Sequence, residues 1–174
     1  MLPAVARPVE DQLRIPDAAF GHSTAAVRPS RDTGRAMSEE STTADLVERV
    51  QQIVKAMNAR DFDAAMSFYA PDAVLDAEDA GIHEGRPAIR SFYEVWWSTY
   101  EDRQQKAEEI RDLGNCVVIA AIHMYGRLPG APASLEQRYA AVATWRHGLI
   151  EKQRNYLDID EARAAAERLA EERG

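Results

Sequence analysis

Asp76 is the side chain in this sequence best suited to acid–base chemistry. It ends the short run Val74-Leu75-Asp76, which is typical of a strand. A carboxyl group on the wall of an apolar pocket has its pKa raised by desolvation, into the range where it can act as a general base. Alternation with Leu75 would instead turn Asp76 towards solvent, so both interpretations stay open at this point.

Two histidines are further candidates for moving a proton. His123 lies between Ile122 and Met124 and could act as a proton shuttle, but alternation places it on the opposite face if its two neighbours face an interior. His83 lies close to an expected cavity rim. The sequence has no His-x-His pair, no Cys-x-x-Cys pair and no Gly-rich phosphate loop, so we expect neither a metal nor an organic cofactor.

Composition limits the partners that the chain is expected to have. Its 174 residues suffice for one domain with a core, 45% of them are hydrophobic, and the formal net charge is −8. An acidic chain without a run of Lys and Arg is not expected to bind nucleic acid. No stretch approaches the roughly 18 apolar residues of a membrane span, and no apolar signal segment opens the chain, so we expect a cytoplasmic protein. The single cysteine, Cys116, is expected to be a small core residue.

The chain divides into an N-terminal arm and one domain. Residues 1–40 hold four of the eight prolines without a periodic apolar face, so we expect a flexible arm followed by a domain at 41–174. Helical spacing of apolar residues predicts helices at 43–58, 61–70 and 86–101. Asp61 is expected to cap the second helix and Pro71 to end it, while Pro87 suits the first turn of the third.

Strands follow the helices. Runs typical of strands cover 106–113, 116–125, 135–145 and 149–158, with turns at Gly114-Asn115 and His147-Gly148. The Ala-rich segment from Asp160 to Arg173 is expected to form a final helix. Helices first and a strand meander after them predict the α+β class.

Three segments carry a resemblance to a known family. These are Asp61–Val74 (DFDAAMSFYAPDAV), Gly85–Tyr93 (GRPAIRSFY), and the end of the meander with WRHGLI and Asn155–Asp158 (NYLD). Together they resemble the SnoaL-like branch of the nuclear transport factor 2-like superfamily, over roughly residues 43–160. The resemblance implies a cone in which a curved, mostly antiparallel sheet wraps around the three helices and encloses one pocket. Such a cone leaves one face of the sheet exposed. Together with this exposed face, the resemblance also implies a homodimer.

Three enzyme types on this fold imply different site residues. The resemblance to ketosteroid isomerases places their base on Asp76 or Ala77 and retains two supporting tyrosines as Tyr69 and Tyr93. Their two oxyanion donors fall on Ile53 and near Ala141, which cannot donate. The Asp-Arg-Asp relay of limonene epoxide hydrolases falls on Ile122, Met124 and Asn155. The acid of SnoaL-like polyketide cyclases also falls near Asn155, where an amide replaces it.

The resemblance therefore implies an apolar and aromatic pocket with a few polar tips. Its expected ligand-contacting residues are Ile53, Leu75, Trp97, Ile122, Met124, Ala141 and Asn155, with Asp76, Tyr69 and Tyr93 as the catalytic set. Such a pocket suits a small hydrophobic ligand, such as a polyketide, steroid or terpenoid. We expect either a cofactor-independent isomerase, cyclase or dehydratase, or a binding protein that uses the same cavity without catalysis. In both cases Asn155 is expected to face the cavity and orient a ligand group without moving a proton.

Overall fold

The computed structural model describes residues 43–174, and these form an α+β domain, which confirms the predicted class. The predicted arm at residues 1–40 lies outside the described residues. The elements are α1 (Thr43–Asn58), α2 (Phe62–Met66), β1 (Tyr69–Asp76), a 3₁₀ turn (Glu78–Ala80), β2 (Ile82–Glu84), α3 (Arg86–Ser98), β3 (Glu101–Asp112), β4 (Val117–Arg127), β5 (Ser134–Arg146), β6 (Leu149–Tyr156) and α4 (Ile159–Glu172). None of the helices between residues 43 and 174 is long and apolar enough to cross a membrane.

The helix α1 has the predicted bounds, but α2 is shorter than predicted. Asp61 caps α2 as expected, with its Oδ1 accepting a hydrogen bond from the backbone N–H of Ala64 at 3.0 Å. The helix ends at Met66, and Pro71 lies inside β1 rather than at a helix end. There the pairing of β1 with β6 is irregular between Tyr69 and Val74. A strand tolerates proline at such a point because no ladder hydrogen bond needs its missing N–H.

The boundary between α3 and β3 also differs from the prediction. The helix α3 ends at Ser98, where the hydroxyls of Ser98 and Thr99 both donate to the carbonyl of Val95. The strand β3 begins at Glu101, five residues before the predicted start at Lys106. Residues 101–105 are all polar, so no apolar alternation reveals this part of the strand.

One six-stranded sheet, in the order β2-β1-β6-β5-β4-β3, forms the framework of the domain. All its pairings are antiparallel except that of β1 with β6. The two-residue turn His147-Gly148 has φ of 52° and 75°, as a tight hairpin requires. The other predicted turn, at Gly114-Asn115, extends to Cys116 because the apolar strand begins only at Val117. Cys116 is therefore exposed, and its expected place in the core is wrong.

The two faces of the sheet are covered by different helices. The helix α1 packs on the inner face, and α4 packs on the outer face of β4, β5 and β6. Ala162, Ala166 and Ala170 lie one turn apart on α4 and are buried against Val117 and Ile119. Because α4 covers part of the outer face, less of the sheet is exposed than the prediction of a homodimer assumed. The homodimer stays a prediction.

Candidate functional site

A partly open cavity lies between α1 and the inner face of the sheet. Its volume is about 60 Å³. Its walls are mostly aliphatic, with three tyrosines, two glutamines and one tryptophan. The lining residues are Val50, Ile53, Val54, Met57, Tyr69, Tyr93, Gln105, Val118, Ala120, Ile122, Tyr139, Ala141, Ala143, Trp145, Ile150 and Gln153. No carboxylate and no imidazole belongs to this set of described residues.

A hydrogen-bonded network centred on Gln153 forms the polar end of the cavity. Its Oε1 accepts from the hydroxyl of Tyr69 at 2.7 Å. Its Nε2 donates to the hydroxyl oxygen of Tyr93 at 3.1 Å and to Oδ1 of Asn155 at 2.8 Å. The Tyr93 proton then has only the longer approach to the Tyr69 hydroxyl, at 3.4 Å. Tyr93 is therefore the member of this network best able to donate a hydrogen bond to a ligand.

Burial keeps the phenols of the cavity protonated. Desolvation raises the pKa of Tyr69 well above its ordinary value, and the neighbouring Tyr93 raises it further. Desolvation also raises the pKa of Tyr93 and that of Tyr139. These groups are neutral at physiological pH, so they can hold a ligand by hydrogen bonds but do not act as bases.

A second polar group lies on the β3 and β5 walls. The Tyr139 hydroxyl donates to Oε1 of Gln105 at 3.1 Å, which leaves the amide N–H groups of Gln105 for other partners. Trp145, also in the wall, has a buried indole N–H without a hydrogen-bond partner among residues 43–174. The groups still available at the cavity are thus mainly donors, which favours a ligand that brings an acceptor.

Asp76 does not line this cavity. Its Oδ1 accepts from the backbone N–H of Glu78 at 3.1 Å and so shapes the turn after β1. Its Oδ2 lies 3.5 Å from Nε of Arg154 on the paired strand β6. The side chain is 32% exposed. This position matches the second interpretation of the sequence, in which Asp76 is turned towards solvent. An acid–base role of Asp76 remains a prediction that its position does not support.

The structure brings together half of the predicted site. Ile53, Ile122, Ala141, Tyr69 and Tyr93 line the cavity. Leu75 is fully buried in the main core, and Met124 is buried beside the cavity with Tyr139 without lining it. Trp97 packs edge-on against Phe62, between α2 and α3. Asn155 was expected to face the cavity; it is buried, but it lies behind Gln153 and does not line the cavity.

Three polar residues of the site were not predicted: Gln105, Tyr139 and Gln153. Gln153 alternates with Asn155 on β6, and this spacing was the available signal for it. Strict alternation would place Ile150 and Gln153 on opposite faces of β6, but the register with β5 shifts between Thr144 and Trp145. That irregularity brings Ile150 to the same cavity as Gln153.

Neither candidate histidine reaches the cavity. His123 lies on the outer face, with Nε2 3.2 Å from Oε2 of Glu136, so the alternation argument holds. His83 stacks on Phe92, with ring centroids 4.5 Å apart, and burial lowers its pKa. Within residues 43–174, no three His, Cys, Asp or Glu side chains are grouped so as to hold a metal ion.

Arg103, at the inner face of β3, is the notable buried charge of the domain. It is 1% exposed, and its guanidinium carbon lies 3.6 Å from the ring centroid of Trp96, 4.0 Å from that of Trp97 and 5.2 Å from that of Tyr100. Its Nη1 donates to the carbonyl of Trp96 at 3.2 Å. Burial lowers the pKa of the guanidinium to about 10, so it remains charged at neutral pH.

Comparisons with known proteins agree with this architecture. No curated protein matches the sequence. Among solved structures, a hypothetical protein from Catenulispora acidiphila with a ketosteroid isomerase-like fold, in complex with trimethylamine, is 18% identical over 68% of this chain and 92% of its own, with a TM-score of 0.59. A nuclear transport factor 2-like protein of unknown function from Burkholderia pseudomallei is 14% identical over 70% and 96%, with a TM-score of 0.59.

An enzyme of the same fold is also similar. The epoxide hydrolase/cyclase-like enzyme SalBIII, of pyran ring formation in polyether salinomycin, is 17% identical over 65% of this chain and 90% of its own, with a TM-score of 0.57. At these identities the likeness shows the fold alone. The family model of the SnoaL-like domain matches residues 50–153, which is more than half of the chain. The chain belongs to the SnoaL-like domain family.

Proposed function

We propose that this protein binds a small hydrophobic molecule with a hydrogen-bond acceptor in this cavity, whose wall holds no carboxylate or imidazole among residues 43–174. The observation that carries the proposal is the make-up of the cavity wall: aliphatic surface closed by the Tyr69–Gln153–Tyr93 network. Apolar walls with a few converging polar groups are the usual form of a small-molecule site. The neutral phenols and amides can orient a carbonyl or hydroxyl, but they cannot take up a proton at neutral pH.

The size of the cavity limits the ligand. Sites for drug-sized ligands usually measure roughly 300–1,000 Å³, whereas this one measures about 60 Å³. The neighbour from Catenulispora acidiphila was solved with trimethylamine, a guest of only a few heavy atoms. A polyketide, steroid or terpenoid would place only one end in this space. We therefore propose a compact ligand, or the compact end of a larger one.

A pair of isosteric ligands tests the binding proposal. 2-Butanone and 2-methyl-1-butene have the same shape, and only the ketone accepts a hydrogen bond. Titration followed by tryptophan fluorescence should show saturable binding of both, with the ketone about ten-fold tighter, as expected for a hydrogen bond in a desolvated site. Tyr93→Phe should remove most of that preference, while Tyr125→Phe, on an exposed residue, should leave it unchanged. If neither ligand binds, or if both bind equally well, the proposal fails.

Catalysis by an isomerase, cyclase or dehydratase is the second candidate. The similarity to SalBIII favours catalysis, because SalBIII is an epoxide hydrolase/cyclase-like enzyme with the same fold. Asp76 would then be the acid–base, after a movement that brings it to the ligand. Mass spectrometry of a co-purified ligand before and after incubation with the protein distinguishes catalysis from binding alone. A ligand converted by the wild type but not by Asp76→Asn would establish the enzyme, and an unchanged ligand supports binding alone.

A further inference from the structure

The charges around Arg103 do not balance within the described part of the chain. A buried ionised group normally has an opposite charge beside it, because desolvation of an unpaired charge is expensive. The groups with the strongest electrostatic effect on Arg103 are Tyr139, Tyr100, Tyr93 and the like-charged Arg60, and none of these is a carboxylate. Within residues 43–174, its Nε and Nη2 are buried without a hydrogen-bond partner. The aromatic faces of Trp96 and Trp97 compensate only part of this positive charge.

The donors around Arg103 also exceed the acceptors. The indole N–H of Trp97, whose ring lies 4.0 Å from the guanidinium, is likewise buried and unpaired among the described residues. Trp145, in the cavity wall, has a third such donor. Unpaired buried groups tend to mark a site where a ligand completes the hydrogen bonding. Of these three donors, only that of Trp145 belongs to a residue of the cavity wall. The charge of Arg103 would be balanced from a distance by a negatively charged acceptor held in the cavity.

Arg103 lies one aromatic layer behind the cavity wall. Trp96 is stacked under the guanidinium at 3.6 Å, and its ring centroid is 5.8 Å from that of Tyr139, which lines the cavity. Both distances are measured to the Trp96 ring, so the guanidinium lies within about 10 Å of the Tyr139 ring. Charges in a protein interior still interact over such a distance. Tyr93 also lines the cavity, and its ring centroid lies 6.3 Å from that of Trp96.

We propose that the cavity selects a ligand with a negative charge, such as a small carboxylate or an enolate, and that Arg103 supplies the selecting field. This inference rests on the proposed binding function and narrows its ligand class. The ionised end lies towards Tyr93, Gln105 and Tyr139, where the free donors are, and the apolar end lies towards α1. Arg103 acts through the aromatic layer, so it is a positioning residue and makes no contact with the ligand.

Three ligands of similar size and different charge test the proposal. Isobutyrate, isobutyramide and isobutylammonium are titrated into the full-length protein at pH 7 and followed by tryptophan fluorescence and by the melting temperature. The wild type should bind isobutyrate about ten-fold more tightly than isobutyramide, and isobutylammonium most weakly. Arg103→Met should reduce the preference for the carboxylate to about two-fold or less. Arg103→Lys keeps the charge and should restore most of it, which a purely packing role of Arg103 would not do.

Arg138→Met is the matched control. It removes the same charge from the outer face of β5, where Arg138 is 57% exposed and paired with Glu108, so the preference should not change. If the wild type binds the amide as tightly as the carboxylate, the anion inference fails while the binding function stands. If Arg103→Met or, should it not fold, Arg103→Gln keeps the full preference, the charge of Arg103 is not its source. If none of the three ligands nor 2-butanone binds, the proposed function itself fails.

Discussion

At the scale of single residues, Tyr139 lines the cavity and also affects how the stability of the fold changes at high pH. Its phenol is buried, donates to Gln105 and has a raised pKa. A group whose pKa is raised on folding contributes stability that is complete below the unfolded value of about 10 and is lost as the pH rises through the folded value. Tyr139→Phe should therefore lower the free energy of unfolding by about 1 kcal/mol at pH 8, but lose less than the wild type when the pH is raised.

Urea unfolding at pH 8 and at pH 10.5 measures this difference. Tyr125→Phe, on the exposed face, provides the comparison for a phenol that burial does not protect. Equal losses of stability between the two pH values in the wild type and Tyr139→Phe would contradict the prediction.

Asn155, when it is made ionisable, should give a pH dependence of the same sign as that of Tyr139 but in a lower pH range. It is buried and accepts a hydrogen bond from Gln153. The carboxyl group of Asn155→Asp would have a pKa raised by desolvation, above its unfolded value of about 3.9. The variant should be close to wild-type stability below pH 4 and lose about 1–3 kcal/mol as the pH rises through the folded pKa. Thermal unfolding from pH 4 to pH 8 measures it, with Asn155→Ala as the variant that should show no such trend.

The sequence could identify part of the site because the family resemblance placed some of its residues in the pocket. These are Ile53, which also lies on the apolar stripe of α1, Ile122 and Ala141, and all three line the cavity. Gln105 and Tyr139 gave no such signal, since buried polar residues look like surface residues until their partners are known. Their partners lie far apart in the chain, as Tyr139 and Gln105 do.

At the scale of elements, α4 shows how small side chains allow a helix to approach a sheet. Ala166 is fully buried against the outer face of the sheet, whereas Ala164, two residues earlier, is exposed. Ala166→Leu should destabilise the domain by about 1–3 kcal/mol, because the added carbon atoms have no space. Ala164→Leu should be within about 0.5 kcal/mol of the wild type. Urea denaturation of both variants measures this, and equal stability would show that α4 is held less closely.

The boundaries of helices and strands were predicted well where a regular apolar pattern stops at a clear turn or helix-end signal. The helix α1 and the His147-Gly148 hairpin are such cases. The boundaries of α2 and β3 were wrong because tertiary structure decided them. Pro71 is placed in a strand by an irregular pairing with β6, and Arg103 is buried by stacking on rings of α3. Neither partner is visible in the local sequence.

At the scale of the whole molecule, the predicted homodimer has a specific surface to test. Beyond α4, the outer face of β4 leaves Tyr125 exposed, at 44%. If this face pairs two copies, light scattering should give about twice the chain mass of 19.4 kDa, and Tyr125→Asp should reduce it to one chain. Val95→Asp, on exposed α3 surface, should have no effect. A monomeric wild type at micromolar concentration would contradict the prediction.

The parallel pairing of β1 with β6 has a consequence for the order in which the domain is assembled. The two strands are separated by about 80 residues, so their contact forms only after a large loop has closed. During synthesis, β1 leaves the ribosome long before β6 exists, and until then β2 is the only neighbour it has in the sheet. The nascent chain must therefore carry an incomplete sheet edge while about 80 further residues are synthesised, a state that is prone to misassociation. The Gln153 network closes at the same late moment, so the cavity is among the last features of the molecule to form.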